Sequence, residues 1–176
     1  MTQTRRNFLK SCFVFVGAQY SIVPYSYCKE GEAMLPDNGV LPQDKVSARM
    51  VVSLDDQILR LYQGNQKVEF PCVVGRRNSS GVSITPLGLY VVVDKSSSDK
   101  PLEGRFGQAY GKRFIKIRHL RLGSYLGVHG TNEETKLDEK VRFFSRGCIR
   151  LYNKDIESVV YPTVCIGDIV QVVAGK

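Results

Sequence analysis

The sequence predicts a mainly β fold, a single β-sandwich or barrel domain with one short helix near its carboxyl end. Residues 48–174 consist of short runs rich in Val, Ile, Leu and Tyr, separated by turn-forming Gly, Asn, Asp and Pro. Only one stretch has apolar residues at helical spacing. Hydrophobic residues make up 43% of the chain, which is enough to build a core in a domain of this length.

The first 28 residues have the pattern of a twin-arginine export signal, in which Arg5 and Arg6 precede the apolar pair Phe8 and Leu9. The apolar run from Cys12 to Val23 is interrupted and falls short of the roughly 20 residues needed to span a bilayer. We therefore expect export to the periplasm or cell envelope by the twin-arginine route, with no stable membrane span afterwards.

Residues 29–47 contain several Gly and Pro residues without periodicity, and they are predicted to be a linker. The domain is expected at 48–174. Predicted strands in its first half are Arg49–Leu54, Ile58–Tyr62 and Val68–Val74, with turns at Asp55-Asp56 and Gly64-Asn65.

In the second half, Thr85–Gly88 is predicted to be a turn that leads into a strand. The predicted strands are Leu89–Val93, Arg113–Leu120 with one wet face, Leu126–His129 and Val164–Val173. One helix is predicted, with Asn153 as its amino-terminal cap and its end before Pro162. Its apolar residues Ile156, Val159 and Val160 lie on one face.

Charge and cysteine content exclude several classes of protein. The formal charge is +8, which becomes +5 without residues 1–28, and the basic residues are scattered, so we predict no nucleic-acid partner. No CxxC or Cys/His ligand spacing is present, so we predict no metal and no cofactor. Cys72 and Cys165 are interpreted as small hydrophobic residues buried in the core. A disulfide between them is possible only if the fold brings their two strands together.

Two short segments carry the residue types needed for acyl transfer. If the chain is extended after Gly147, Cys148 and Arg150 share one face and the guanidinium favours the thiolate. In the strand that ends at His129, the imidazole points to the same side as Gly127. Pairing these two strands would bring a base within reach of a thiol nucleophile.

Other residues have predicted supporting roles. The main-chain amides of Arg146, Gly147 and Cys148 are candidates for an oxyanion hole, and Gly147 leaves room for an incoming carbonyl. Taken alone, the cysteine could be an inert buried residue and the histidine could fill a turn. His119 lies in a basic stretch and is expected to be a solvated residue at a strand end.

These motifs resemble the YkuD-type L,D-transpeptidase family, whose signature is a His-Gly pair followed by Ser-His-Gly-Cys, an apolar residue and Arg. Here the pair is His129-Gly130 and the second element is Ser145–Arg150. The likeness extends over nearly all of Ala48–Val173, including Thr85–Tyr90 and the closing Gly167–Val170.

The resemblance implies an L,D-transpeptidase-like catalytic domain that acts on the stem tetrapeptides of peptidoglycan. The sequence is silent on oligomeric state, and a monomer is the default expectation. Cys148 would attack the carbonyl of the third residue, expel D-alanine and hold the acyl group as a thioester until an amine accepts it. His129 would be the base, oriented by the Gly130 carbonyl. Ser145 and Arg150 are predicted to contact substrate.

Two departures from the family pattern concern the acceptor and the pocket. Arg146 replaces the usual second histidine, and the spacer from Asn132 to Phe144 is charged and lacks a Gly-containing turn. Three alternatives stay open at this point: an L,D-carboxypeptidase that transfers to water, a catalytically inert envelope scaffold, and a cysteine peptidase of ordinary L-peptides. The last normally carries its cysteine on a helix, unlike the strand pattern here.

Overall fold

The computed structural model describes residues 48–102, 110–140 and 142–175, together with the backbone of two short strands, β1 (Cys12–Val14) and β2 (Ser21–Val23). The chain divides into two compact units, Met1–Glu32 and Ala33–Lys176. In the first unit β1 and β2 pair antiparallel. The predicted export signal and linker fall largely outside the described residues and stay predictions.

The second unit is built mainly of strands, as the sequence predicted. These are β3 (Met50–Ser53), β4 (Ile58–Gln63), β5 (Gln66–Pro71), β6 (Val74–Gly75), β7 (Gly88–Ser97), β8 (Arg113–His119), β9 (Tyr125–His129), β10 (Phe143–Ser145), β11 (Ile149–Arg150) and β12 (Ile169–Val173). A 3₁₀ turn occupies Glu134–Leu137.

One curled mixed sheet has the strand order β11-β9-β8-β7-β12-β3-β4-β5. The pairs β11–β9 and β12–β3 are parallel, and the other neighbours in this sheet are antiparallel. Strands β6 and β10 form a separate parallel pair. The carboxyl-terminal strand β12 therefore lies inside the sheet. It separates β3, β4 and β5 on one side from β7, β8, β9 and β11 on the other.

Alternation of side chains explains why β8 has one wet face. Ile115 and Ile117 are fully buried, whereas Lys116 between them is exposed. The side chains of neighbouring strands that lie on the same side of the sheet as Ile115 and Ile117 form the hydrophobic core. Its buried members include Met50, Val52, Leu59, Leu61, Tyr90, Val92, Val128, Ile149, Leu151, Ile156, Val160, Val164, Val170 and Val172.

A single helical segment, residues 153–163 (α1), packs Ile156 and Val160 into this core. The one-helix prediction is confirmed, but Asn153 is its first helical residue rather than its cap, and Pro162 lies inside its last turn. The preceding Ile156–Val160 segment is π-helical, and its wider turns relieve the clash that a proline ring makes with the carbonyl four residues earlier. Within the described ranges, no helix is long and apolar enough to span a membrane.

Several strand boundaries differ from those predicted, and β7 is the most extended, at Gly88–Ser97 against the predicted Leu89–Val93. The run Val68–Val74 breaks at Cys72, whose backbone N–H donates to the Gln57 carbonyl at 2.9 Å. The last strand begins only at Ile169, because Asp168 accepts the Cys165 N–H at 2.8 Å and closes a turn. The strand β10 was not predicted, since it is extended only by pairing with β6.

The two cysteines placed in apolar runs behave differently. Cys72 is fully buried and free, and burial raises the pKa of its thiol to about 12. Cys165 is half-buried and does not pair with Cys72, which is free. The interpretation as a buried small hydrophobe therefore holds for Cys72 and is wrong for Cys165.

His119 is buried rather than solvated, which corrects the sequence expectation. Its Nε2–H donates to the Leu87 carbonyl at 3.0 Å, and its Nδ1 accepts the N–H groups of Arg121 and Leu122, both at 3.1 Å. The ring also meets Tyr90 edge-on, with centroids 4.7 Å apart. This histidine fastens the β8–β9 turn to the segment that precedes β7.

The core location of β8 predicts a contrast between two isoleucines. We expect Ile117→Ala to lower the free energy of unfolding by about 2–5 kcal/mol, because it leaves a cavity under the sheet. The matched change Ile166→Ala, at a side chain 65% exposed, should cost less than about 0.5 kcal/mol. Urea denaturation measures both, and equal losses would contradict the assigned core.

Candidate active site

Parallel pairing of β9 with β11 brings the candidate base and nucleophile to one face of the sheet. Arg150 lies opposite His129, so Cys148, two residues earlier, lies opposite Gly127. Because side chains alternate along a strand, the side chains of these three residues project from the same face. Ile149 points the other way and is fully buried.

The His129 ring is set in one tautomer. The Gly130 carbonyl lies 2.5 Å from Nδ1, and a carbonyl can only accept a hydrogen bond, so Nδ1 carries the proton. Nε2 therefore keeps its lone pair. Nε2 is buried, and no atom of the described residues forms a hydrogen bond with it. The Cys148 sulfur is among the atoms that do not. The imidazole thus presents an unoccupied basic nitrogen on the face that carries the thiol.

Aromatic side chains enclose the His129 ring, which is 1% exposed. Phe114 stacks on it with centroids 5.5 Å apart and planes 13° from parallel, and Tyr110 meets it edge-on at 4.5 Å. Burial lowers the pKa of His129 to about 4, the Gly130 hydrogen bond opposes this, and the positive charge of Arg150 lowers the pKa further. The imidazole is therefore neutral at neutral pH.

Two close approaches explain the glycines beside this histidine. A Cβ at Gly127 would lie 2.4 Å from Phe114 Cζ, and one at Gly130 would lie 2.1 Å from Asn153 Oδ1. Asn153 also accepts the Thr131 N–H at 3.2 Å and donates from Nδ2 to the Thr131 carbonyl at 2.8 Å. The start of α1 thus holds the loop that follows the base.

Cys148 is half-buried and free. Burial raises the pKa of its thiol, while a hydrogen bond from the Gly127 backbone and the charge of Arg150 act in the opposite direction. Arg150 does favour the thiolate, as expected from the sequence, but burial outweighs it. The resting pair is therefore a thiol beside a neutral imidazole, and the nucleophile forms as the proton moves to His129 during attack.

The turn that presents Cys148 is braced by its own hydrogen bonds. Ser145 is 1% exposed, and its Oγ donates to the Cys148 carbonyl at 2.5 Å and accepts the Gly147 N–H at 3.0 Å. Thr85 Oγ1 donates to the Gly147 carbonyl at 2.8 Å. The φ of Gly147 is +119°, a conformation open mainly to glycine.

These contacts change the roles of two predicted site residues. The Ser145 hydroxyl, predicted to contact substrate, is occupied within the turn. The Gly147 N–H, a candidate oxyanion donor, is engaged by that same hydroxyl. Arg146 and Cys148 lie on either side of Gly147 in this turn. Arg146 itself is exposed.

Arg150 is held on both its main chain and its side chain. Its N–H and carbonyl each bond to Val73 at 2.9 Å, and its Nη1 lies 2.7 Å from Glu133 Oε2. The residue is 8% exposed. Holding a substrate carboxylate, the role predicted from the sequence, would require that carboxylate to displace Glu133.

Four residues at the site escaped the sequence analysis: Thr85, Tyr110, Phe114 and Glu133. Thr85 was placed in a turn, Phe114 in a strand and Glu133 in the charged spacer, and none of the four was assigned a role at the site. Strand parity could have placed Phe114 on the face of His129, because β8 and β9 pair with these two residues opposite each other. No cluster of three or more His, Cys, Asp or Glu that could hold a metal ion occurs in the described part of the chain.

Burial of a neutral His129 predicts a pH-dependent stability. The unfolded chain binds a proton near pH 6.5 while the folded chain resists it until about pH 4, so stability falls as the pH drops through this window. The loss amounts to about 3 kcal/mol. Urea titrations between pH 7.5 and 4.5 should show this slope in the wild type and its loss in His129→Gln. If the free energy of unfolding fell equally with pH in the two proteins, the His129 imidazole would not be buried in its neutral form.

Comparison with known proteins identifies the family of this domain. A model of the family described as the L,D-transpeptidase catalytic domain matches residues 47–172. The YkuD protein of Bacillus licheniformis is 29% identical over 119 residues, which are 67% of this chain and 61% of that protein. The YkuD protein of Bacillus subtilis is 25% identical over 123 residues, 69% of this chain and 61% of that protein. The chain therefore spans about three fifths of these relatives.

Solved structures show the same fold. An L,D-transpeptidase from Stackebrandtia nassauensis superposes with a TM-score of 0.54 at 18% identity, covering 77% of this chain and 62% of that one. An L,D-transpeptidase from Mycobacterium smegmatis gives a TM-score of 0.51 at 18% identity, covering 72% and 59%. With its paired motif on adjacent strands and a family match over most of its length, this chain belongs to the L,D-transpeptidase catalytic domain family.

Proposed function

We propose that the protein is a cysteine-dependent L,D-transpeptidase of the cell envelope that acts on peptidoglycan stem tetrapeptides. The observation that carries the proposal is the His129 ring, held by the Gly130 carbonyl so that its unpartnered Nε2 lies on the face of Cys148. The His-Gly and Ser-x-Gly-Cys motifs imply acyl transfer through a cysteine, and a thiol beside a basic nitrogen is the chemistry that this reaction needs.

The first half-reaction follows from the neutral pair. Cys148 Sγ attacks the carbonyl carbon of the third stem residue as its proton passes to Nε2, and the Gly130 carbonyl stabilises the imidazolium that forms. In this proposal the Cys148 N–H faces the developing oxyanion, because the Gly147 N–H is already held by Ser145 Oγ. When the intermediate collapses, the C–N bond breaks, D-alanine leaves with the proton from His129, and the thioester remains.

The second half-reaction reverses the proton path. An acceptor amine attacks the thioester carbonyl, His129 takes a proton from that amine, and the sulfur leaves and recovers its proton. The product is an amide that cross-links two stems or anchors a protein. If water is the acceptor, the same residues perform a carboxypeptidase reaction, so the acceptor distinguishes these two functions and the catalytic pair does not.

Two features support action outside the cytoplasm. The amino-terminal pattern around Arg5 and Arg6 matches a twin-arginine signal. The net positive charge also suits an enzyme that works beside an anionic wall polymer.

Removing the thiol tests the proposed function directly. We expect Cys148→Ala to abolish D-alanine release from purified disaccharide tetrapeptides, and the matched variant Cys72→Ala to retain most of it, because Cys72 lies in the core. Mass spectrometry of the products would show stem dimers for a transpeptidase and tripeptides alone for a carboxypeptidase. Undiminished release by Cys148→Ala would sink the proposal, and no release by the wild type would favour the inert scaffold.

The low pKa of His129 predicts a broad pH profile. Because the imidazole is a competent base whenever it is neutral, kcat/KM should stay nearly level between pH 6 and 8 and halve only near pH 4 to 5. Circular dichroism at each pH would correct the rates for the unfolded fraction. A half-maximal rate near pH 6.5 would indicate a solvated histidine and contradict the enclosed site.

A further inference from the structure

The peptide group between Gly147 and Cys148 is held from outside the catalytic turn by one buried side chain. Thr85 is 1% exposed, and its Oγ1 lies 2.8 Å from the Gly147 carbonyl oxygen and 2.8 Å from the Gly75 backbone nitrogen. The carbonyl can only accept a hydrogen bond and the Gly75 N–H can only donate one. The hydroxyl proton of Thr85 therefore points at the Gly147 carbonyl.

A close approach to β6 fixes the position of this hydroxyl. A Cβ at Gly75 would lie 2.7 Å from both the backbone nitrogen and Oγ1 of Thr85. The Thr85 N–H donates to Ser83 Oγ at 3.2 Å, and the Ser83 hydroxyl donates to the Gly75 carbonyl at 2.8 Å. Thr85 is thus anchored on β6, and its hydroxyl is in place to receive the catalytic turn.

The catalytic turn contains three consecutive peptide groups with different partners. Ser145 Oγ holds the first and the third, because it accepts the Gly147 N–H at 3.0 Å and donates to the Cys148 carbonyl at 2.5 Å. The middle group, between Gly147 and Cys148, is the one that Thr85 holds. Gly147 has a φ of +119°, and a residue without a side chain lets the adjoining peptide group rotate at low cost. The Thr85 hydrogen bond opposes that rotation.

Holding the Gly147 carbonyl also directs the Cys148 N–H. In a planar trans peptide the C=O and the N–H that follows it point in opposite directions. Thr85 reaches the turn from the side of β6, whereas the Cys148 sulfur lies against the Gly127 backbone of β9. With its carbonyl turned toward Thr85, the peptide group directs its N–H away from β6.

We propose that Thr85 is a positioning residue for catalysis, which fixes the Gly147–Cys148 peptide group so that the Cys148 N–H donates to the oxyanion. The inference rests on the cysteine acyl transfer of the proposed function, but it does not depend on the identity of the substrate. As the bond from sulfur to the carbonyl carbon forms, the thiol proton passes to His129 and a carbonyl electron pair moves onto oxygen. A donor already directed at that oxygen needs no reorientation during attack.

Paired acylation and alkylation rates test this role. Acylation of Cys148 is measured with p-nitrophenyl acetate, whose carbonyl oxygen becomes an oxyanion before the ester C–O bond breaks and p-nitrophenolate leaves. Alkylation is measured with iodoacetamide, in which the sulfur displaces iodide from a methylene carbon and no oxyanion forms. Mass spectrometry of the peptide that contains Cys148 separates its labelling from that of the other cysteines.

Thr85→Val keeps the shape of the side chain and removes the hydroxyl. We expect it to slow acylation about tenfold to a hundredfold, which approaches the roughly 10²–10³-fold cost of deleting an oxyanion donor, and to leave alkylation within about twofold. Thr85→Ser, which keeps the hydroxyl, should recover most of the acylation rate. With tetrapeptide substrate, Thr85→Val should lower kcat and leave KM nearly unchanged, as expected for an interaction made in the transition state.

Thr163→Val is the matched control, because it makes the same change at a half-buried threonine near the end of α1. It should alter neither rate. Equal slowing of acylation and alkylation in Thr85→Val would show that Thr85 supports only the thiol, and would overturn the inference. Undiminished acylation in Thr85→Val, or no recovery in Thr85→Ser, would do the same. If circular dichroism shows that Thr85→Val does not fold, Thr85→Ala decides by the same two rates.

The small ester separates this inference from the proposed function. A wild type that releases no D-alanine from stem peptides, yet is acylated by the ester in a way that depends on the Thr85 hydroxyl, would remove the proposed function and sustain the positioning role. Normal D-alanine release that is equally fast in Thr85→Val would remove the role and sustain the function. A wild type that neither substrate acylates would overturn both.

Discussion

The parallel pairing of β9 with β11 is the constraint on which the site depends. It puts Cys148 opposite Gly127 and Arg150 opposite His129, so that nucleophile, base and guanidinium project from one face. A slip of one residue would turn Cys148 into the core and Ile149 outward. The buried side chains of Val128 and Ile149 prevent that slip, because burying both fixes the register.

The hydrophobic interior that fixes the register also sets the protonation states. Burial disfavours the charged form of both members of the pair, which leaves a thiol and a neutral imidazole at rest. Arg150 alone would stabilise a thiolate, but its own charge is partly balanced by Glu133 at 2.7 Å. The enzyme proposed here therefore creates charge only during attack, and the Gly130 carbonyl is already placed to receive the imidazolium.

Strand parity and turn chemistry were readable from the sequence because they depend on neighbouring residues. The alternation of Ile115, Lys116 and Ile117 gave the wet face of β8, and the apolar spacing of Ile156 and Val160 gave the helix. Local pattern could not reveal contacts between distant segments. The hydroxyl of Thr85 on the Gly147 carbonyl and the carboxylate of Glu133 on Arg150 join parts of the chain that the fold alone brings together. For the same reason Ser145 was assigned to substrate, although its hydroxyl is used within the turn.

The two histidines provide an internal test of the central claim that His129 is neutral with its proton on Nδ1. Nitrogen NMR of the imidazole rings at pH 7 should show His129 protonated on Nδ1 and bare on Nε2. His119 should show the opposite tautomer, because its Nε2–H donates to the Leu87 carbonyl. Finding His129 protonated on both nitrogens at pH 7 would indicate a resting thiolate–imidazolium pair and contradict the account, as would a proton on Nε2 alone.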